Sequence, residues 1–325
     1  MNWEEDRARR AIAEIVADAE AAFDGTGWAA HELDAPVRDF EHVGLYLGSA
    51  GMVWALRRLG STLDFPIDVS LVDGNASLLA GETGVLLVTR DDDARLQQLI
   101  DVNAEDPAWE ILWGSPGTML AARHAGLDAE RSAEILLARR EPDGIWTEDL
   151  RGDVARFLGA VHGFAGNIHA LRGHVADDEL RAWVESVLRG HAVWEGKTVN
   201  WPPTAGGTPT RVQWCHGAPG IVAAIGDLMP EDLLLGGAEC TWRYGPHEKG
   251  PGLCHGTAGN GYALLKTYAV TGDELWLERA RSFAMAATGQ LQQQRYALFT
   301  GDIGAALFLQ SCLDGDARFP IMDVV

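Results

Sequence analysis

Two short runs, Cys215-His216-Gly217 and Cys254-His255-Gly256, set a thiol, an imidazole and a glycine in the same order 39 residues apart. Thiolate sulfur and imidazole nitrogen are the donors zinc favours in tetrahedral sites, and a deprotonated thiol is also a nucleophile. A single cysteine reads most simply as a small buried apolar residue, and a single histidine as a hydrogen-bonded core residue. Two Cys-His-Gly copies reverse that preference toward metal binding. Consecutive residues both ligate only where the backbone leaves helical geometry, and a glycine-flanked turn gives that freedom. A redox pair is the other chemical reading, but neither cysteine belongs to a Cys-x-x-Cys motif. The spacing alone leaves open which histidine binds.

The elements that must position these residues are visible as a repeat. Gly-x-x-Gly occurs at Gly48–Gly51, Gly81–Gly84, Gly114–Gly117, Gly163–Gly166, Gly217–Gly220, Gly256–Gly259 and Gly301–Gly304. One such pair means little in a chain with 38 glycines, but here an apolar stretch of helical character follows every pair. Met52–Leu56, Ile221–Ile225 and Tyr262–Leu265 are examples. Between them lie charged, amphipathic segments such as Asp92–Val102, Asp178–Val187 and Asp273–Ala287, which suit helices with one wet face. The expected architecture is all-α, a single domain over residues 1–325. It would be an α/α toroid with seven inner and seven outer helices, the inner N-terminal ends converging on a cavity. An open superhelix of helix pairs has a similar period. The irregular spacing favours the closed ring, because insertions over 125–161 and 174–213 are easily carried as loops. Lys197–Pro209, rich in proline and glycine and just before Cys215, is expected to be loop and to lie over the site.

Composition excludes several functions. The chain carries 26 basic and 47 acidic residues, a formal charge of −21, so nucleic acid is not an expected partner. Residues 1–22 suit an amphipathic helix rather than a signal peptide, and no apolar run is long enough for a membrane span. Four cysteines, Cys215, Cys240, Cys254 and Cys312, are too few for a disulfide-built scaffold. The expected location is the cytoplasm.

Three stretches carry a more specific resemblance. Trp214-Cys-His-Gly-Ala-Pro-Gly220 and Gly252-Leu-Cys-His-Gly-Thr-Ala-Gly-Asn260 are similar to the paired signatures of the lanthionine synthetase C-like family, and Ala160-Val-His-Gly-Phe-Ala-Gly166 resembles its third motif. The closing Ala317-Arg-Phe-Pro320 is similar to the ends of stand-alone eukaryotic-type members that bind glutathione. The resemblance implies the toroid and a Zn2+ site of Cys215, Cys254 and His255, with the fourth position left to water or substrate. It implies deprotonation of a thiol and its addition to dehydroalanine or dehydrobutyrine, forming a thioether.

By motif, His162 is the candidate acid that protonates the resulting enolate. Arg211 matches a family arginine suited to stabilising enolate charge. Glu110 stands where the peptide cyclases have Asp. His216, where those cyclases often have Tyr, is either a proton-handling group or a packed polar residue. Lys249 matches a lysine that glutathione-binding members place near the glutathione carboxylates, and Arg295 falls near a second such basic position. Both are weighed against ordinary solvated surface cations.

The expected function is therefore zinc-dependent addition of a thiol, glutathione or a related small thiol, to dehydroamino acids in peptides. The alternatives are a lanthionine-forming peptide cyclase, whose thiol is a cysteine of the substrate, and a non-catalytic zinc- or glutathione-binding module. Lys249 favours the first over the cyclase, and His162 with Arg211 favours either enzyme over the binding module.

Overall fold

At each of the seven Gly-x-x-Gly pairs the first glycine is the residue at which a helix begins. In the computed structural model, which describes residues 2–34, 42–292 and 294–325, Gly48, Gly81, Gly114, Gly163, Gly217, Gly256 and Gly301 are the N-caps of α2 (Ser49–Arg58), α3 (Glu82–Thr89), α5 (Ser115–Ala125), α7 (Phe164–Ala170), α9 (Ala218–Ile225), α11 (Thr257–Thr271) and α13 (Asp302–Asp314). These inner helices are apolar nearly all round, and every residue of α7 and α9 is buried. The second glycine of each pair serves packing. A Cβ there would overlap the carbonyl oxygen six residues upstream, as at Gly259 against Leu253, so each connecting loop folds tightly onto the helix it precedes.

The outer layer is amphipathic, as the sequence requires. It consists of α1 (Glu5–Ala21), α4 (Asp93–Asn103), α6 (Glu130–Ala138), α8 (Asp177–His191), α10 (Glu231–Tyr244) and α12 (Glu274–Thr288). On α8 the buried residues Leu180, Trp183, Val184, Val187 and Leu188 follow the spacing of one helical face. Between α2 and α3 the expected seventh outer helix is replaced, among the described residues, by the short 3₁₀ turn Val69–Val72. Pro66, in the middle of that connection, lacks the N–H that a helix-interior residue donates.

The ring closes. In five of the seven repeats the residues two before the first glycines are joined by backbone hydrogen bonds from one repeat to the next. Cys215 N donates to Cys254 O at 3.1 Å, Cys254 N to Phe299 O at 2.8 Å, Phe299 N to Tyr46 O at 3.2 Å and Tyr46 N to Leu79 O at 2.8 Å. The third of these links the last repeat to the first, which an open superhelix does not do. The architecture is an α/α toroid, and the cysteine-bearing loops are neighbours on its inner rim.

The two insertions are more ordered than loops. The first contains the antiparallel hairpin of β1 (Glu148–Leu150) and β2 (Asp153–Ala155), and the second that of β3 (Val193–Glu195) and β4 (Thr198–Asn200). Lys197–Pro209 thus begins in the turn of the β3–β4 hairpin and runs through β4. It continues as loop pinned to the preceding insertion, with Leu158 N donating to Pro203 O and Ala205 N to Arg156 O. The C-terminal segment packs across the inner helices. Its Phe319 is stacked on Trp214 at 4.3 Å and meets Tyr262 of α11 edge-on. Among the described residues no helix is long and apolar enough to cross a membrane.

Candidate active site

Cys215 and Cys254 stand in equivalent loops before α9 and α11, and the backbone bond between them fixes their side chains on the same side of the rim. Gly217 has φ 106, a left-handed value that bends the chain sharply after Cys215-His216. Both thiols are buried and free, and they hydrogen-bond to one another. That shared bond separates them. Cys215, held by Cys254 and by the Gln213 amide at 2.8 Å from its sulfur, and facing the charges of His162 and Arg211, is brought down to about 7. Cys254 goes the other way, raised by the same bond and by burial. Cys215 therefore gives up its proton first, near neutral pH, and the thiolate is the nucleophilic form.

His162 lies in the loop before α7. Its Nδ1 is 2.8 Å from Oε2 of Glu110, an ion pair when the ring is protonated. Glu110 is fully buried and is held by the backbone N–H groups of Leu112 at 2.9 Å and Trp113 at 2.5 Å. Burial alone would lower the His162 pKa, but Glu110 and the nearby Cys215 outweigh it and hold the imidazolium above its usual range. Changing Glu110 to Gln removes the largest opposing charge, so the His162 pKa is expected to fall. The sign follows for stability. A raised histidine pKa contributes stability that is present below pH 6.5 and is lost as pH rises through the folded value, and Glu110→Gln should flatten that dependence. Titration of the His162 ring protons by NMR checks it.

His216 is buried and stacks on His162 with ring centroids 5.7 Å apart, while Phe157 packs against both rings. Burial, then the charges of His162 and Arg211, bring His216 down to about 4, so it is neutral. Its Nδ1 has no hydrogen-bond partner among the described residues. Arg211 is exposed at the edge of this group, with its charge facing Cys215 and His216.

Lys249 is exposed, with Nζ 3.4 Å from the Gln213 side-chain oxygen, so a chain of contacts runs from Lys249 through Gln213 to Cys215. Arg295 is placed differently from the solvated cation weighed for it. It is buried and engaged by Asp34, with Nε to Oδ2 at 3.0 Å and Nη2 to Oδ1 at 2.5 Å. Its charge still reaches His255. Burial, then Lys249 and Arg295, lower the His255 imidazole to about 4, which keeps it neutral.

Zinc was the implied cofactor. The two touching thiols are donors of the right kind. The third donor is not gathered with them, since no group of three or more His, Cys, Asp or Glu side chains capable of holding a metal occurs among the described residues. The donor set fits zinc in type and is one ligand short in arrangement.

Two neighbours of the thiols escaped the sequence reading. Gln213, two residues before Cys215, carried no chemical signal. Tyr46 shares a hydrogen bond with the Cys254 thiol and is raised well above its usual range, by loss of solvent and by that thiol. Its signal lay in register, because Tyr46 stands two residues before Gly48, as Cys215 and Cys254 stand two before theirs.

Comparison with known proteins agrees with the fold. Over 187 residues the chain is 32% identical to a Danio rerio protein named glutathione S-transferase LANCL1, covering 52% of this chain and 46% of that protein. Over 186 residues it is 31% identical to the LanC-like protein GCL1 of Arabidopsis thaliana, covering 51% of this chain and 43% of that protein. The chain thus spans about half the length of the curated relatives it matches. The solved structure of nisin cyclase superposes with a TM-score of 0.62 over 93% of each chain at 14% identity, a likeness of fold. The family profile described as lanthionine synthetase C-like protein matches residues 95–324, and the chain belongs to that family.

Proposed function

We propose that this protein adds a thiol to the β-carbon of a dehydroalanine or dehydrobutyrine residue in a peptide, forming a thioether. The observation that carries the reading is the convergence of a thiol pair with a lowered member, Cys215, on an imidazolium, His162, kept charged by the buried Glu110. Addition needs two things at one place. The substrate thiol must lose its proton to solvent and attack as thiolate, and the enolate formed when the carbon–carbon double bond opens must receive a proton at its α-carbon. His162 supplies that proton, and Glu110 holds the ring toward it. Arg211, exposed with its charge on the Cys215 side, stabilises the enolate oxygen as charge develops. His216, neutral and stacked on His162, fixes the plane of the acid.

Were His255 brought onto the Cys215–Cys254 pair, zinc held by the three would supply Lewis-acid activation of a bound thiol. The name of the Danio rerio relative and the exposed Lys249 beside Gln213 support glutathione as the thiol, with Lys249 pairing a glutathione carboxylate. Arg295, already engaged by Asp34, does not share that work. We place the protein in the cytoplasm, where its four cysteines and glutathione stay reduced.

The test is mass spectrometry of a dehydroalanine peptide incubated with the protein and glutathione. A glutathione adduct supports the reading. Ring closure of a cysteine-containing peptide without glutathione, which leaves the mass unchanged and is read as loss of a thiol that iodoacetamide can alkylate, would make the protein a peptide cyclase, and no glutathione adduct with a fully alkylatable cysteine would leave a binding module.

A further inference from the structure

The loop that carries Glu110 also forms one wall of a second cavity. About 750 Å3 in volume, this cavity lies between the loops preceding α3 and α5 and the tip of the β1–β2 hairpin. Asp73, Glu105, Asp106 and Asp149 line it, against a single cation, Arg151. In a chain of net charge −21 an acidic lining is unremarkable by itself. Two other observations point to an occupant. Ser77, a lining residue only 2% exposed, has a hydroxyl with no hydrogen-bond partner among the described residues. A buried hydroxyl is seldom left unpaired, so a donor and acceptor is available there. The cavity also holds a cation already. The Arg151 guanidinium lies 4.1 Å from the centre of the Trp113 ring, a cation–π contact among the carboxylates.

We propose that this cavity binds a lysine- or arginine-bearing segment of the peptide substrate. The inference rests on a dehydroamino-acid peptide being that substrate. Asp106 and Glu110 belong to one loop, four residues apart in the chain, so the cavity and the Glu110–His162 pair share an element. Asp73 and Glu105 are also touched from outside by Arg95 at 3.2 Å and Arg131 at 2.5 Å. Those pairs are exposed, so they only partly offset the cavity's charge. The neutral part of the segment meets Ser77 and the Trp113 ring. A substrate with acidic residues beside its dehydroamino acid would be repelled.

The experiment measures binding to the full chain by fluorescence anisotropy, using labelled peptides without cysteine or dehydroamino acid. Three peptides of one length carry lysine, glutamine or glutamate at the same positions. The lysine peptide is expected to bind at least about tenfold tighter than the glutamine peptide at low salt, with the advantage shrinking as ionic strength rises. The double variant Asp73→Asn/Glu105→Gln should weaken the lysine peptide several-fold and leave the glutamine peptide unchanged. Ser77→Ala, which keeps every charge, should weaken both. Equal binding of lysine and glutamine peptides, or an unaltered lysine affinity in a double variant that melts like wild type, overturns the proposal. Failure of the parent reading is separate, because loss of thiol addition with lysine selectivity intact removes the reaction and leaves this site standing.

Discussion

Replacing His162 with Gln should lower the rate of thiol addition by about 10²- to 10⁴-fold, the range expected for loss of one positioned proton donor, while the affinity for the thiol changes little. The split follows from where His162 sits. It faces Cys215 through charge and is held by Glu110, yet it makes no hydrogen bond to Gln213 or Lys249, the residues on the thiol side. The enolate is formed only after attack, so a missing acid is felt in kcat more than in KM. Glu110→Gln should give a smaller loss and move the alkaline limb of the pH profile to lower pH, because the ring remains but its raised pKa does not. Steady-state kinetics of the two variants across pH separates these effects. A His162→Gln variant that loses thiol affinity and keeps kcat would assign the ring to binding instead.

Gly259→Ala should unfold the protein or lower its stability by about 3 kcal/mol or more, the upper end of what overpacking costs. An added methyl would overlap the Leu253 carbonyl oxygen and come within 3.0 Å of the Trp214 Cβ. Neither neighbour yields cheaply. Leu253 is the residue before Cys254, whose backbone bonds both adjoining repeats, and Trp214 is fully buried under Phe319. The carbonyl therefore moves only if the rim moves with it. Gly272→Ala makes the control: that glycine caps the far end of the same helix with φ 70 and has open space around it, so its cost is local backbone strain. Denaturant unfolding of the pair measures the difference, and equal midpoints would mean the rim tolerates displacement.

The inner ring was legible in the sequence because its two requirements, a glycine where backbones touch and an apolar stretch behind it, leave direct marks on residue type. Gly217–Gly220 and Gly256–Gly259 announced adjacent repeats, and through them that Cys215 and Cys254 would meet. The outer layer is less legible where a helix is missing, since seven inner repeats imply seven outer partners while Pro66 breaks the connection between α2 and α3. The hairpins at Glu148–Ala155 and Val193–Asn200 were hidden in insertions whose three-residue strands have almost no periodicity to read. Within the site, motif identified His162 and Glu110 separately, but only the structure pairs them. For Arg295, read as a second basic position for glutathione or a solvated cation, the sequence carries no sign of its partner, because Asp34 lies 261 positions away in the chain. Tyr46 was missed because its phenol does not belong to the Cys-His pattern, although its register is the same.

All of this turns on Cys215 and Cys254 acting as one centre. The most direct test is elemental analysis of the purified protein, together with thiol titration before and after chelation. The account predicts about one zinc ion per chain, two thiols that become reactive only when the metal is removed, and loss of most of the zinc in both Cys215→Ala and Cys254→Ala. Full zinc retention in either variant, or a metal-free protein whose two thiols react independently, would contradict it.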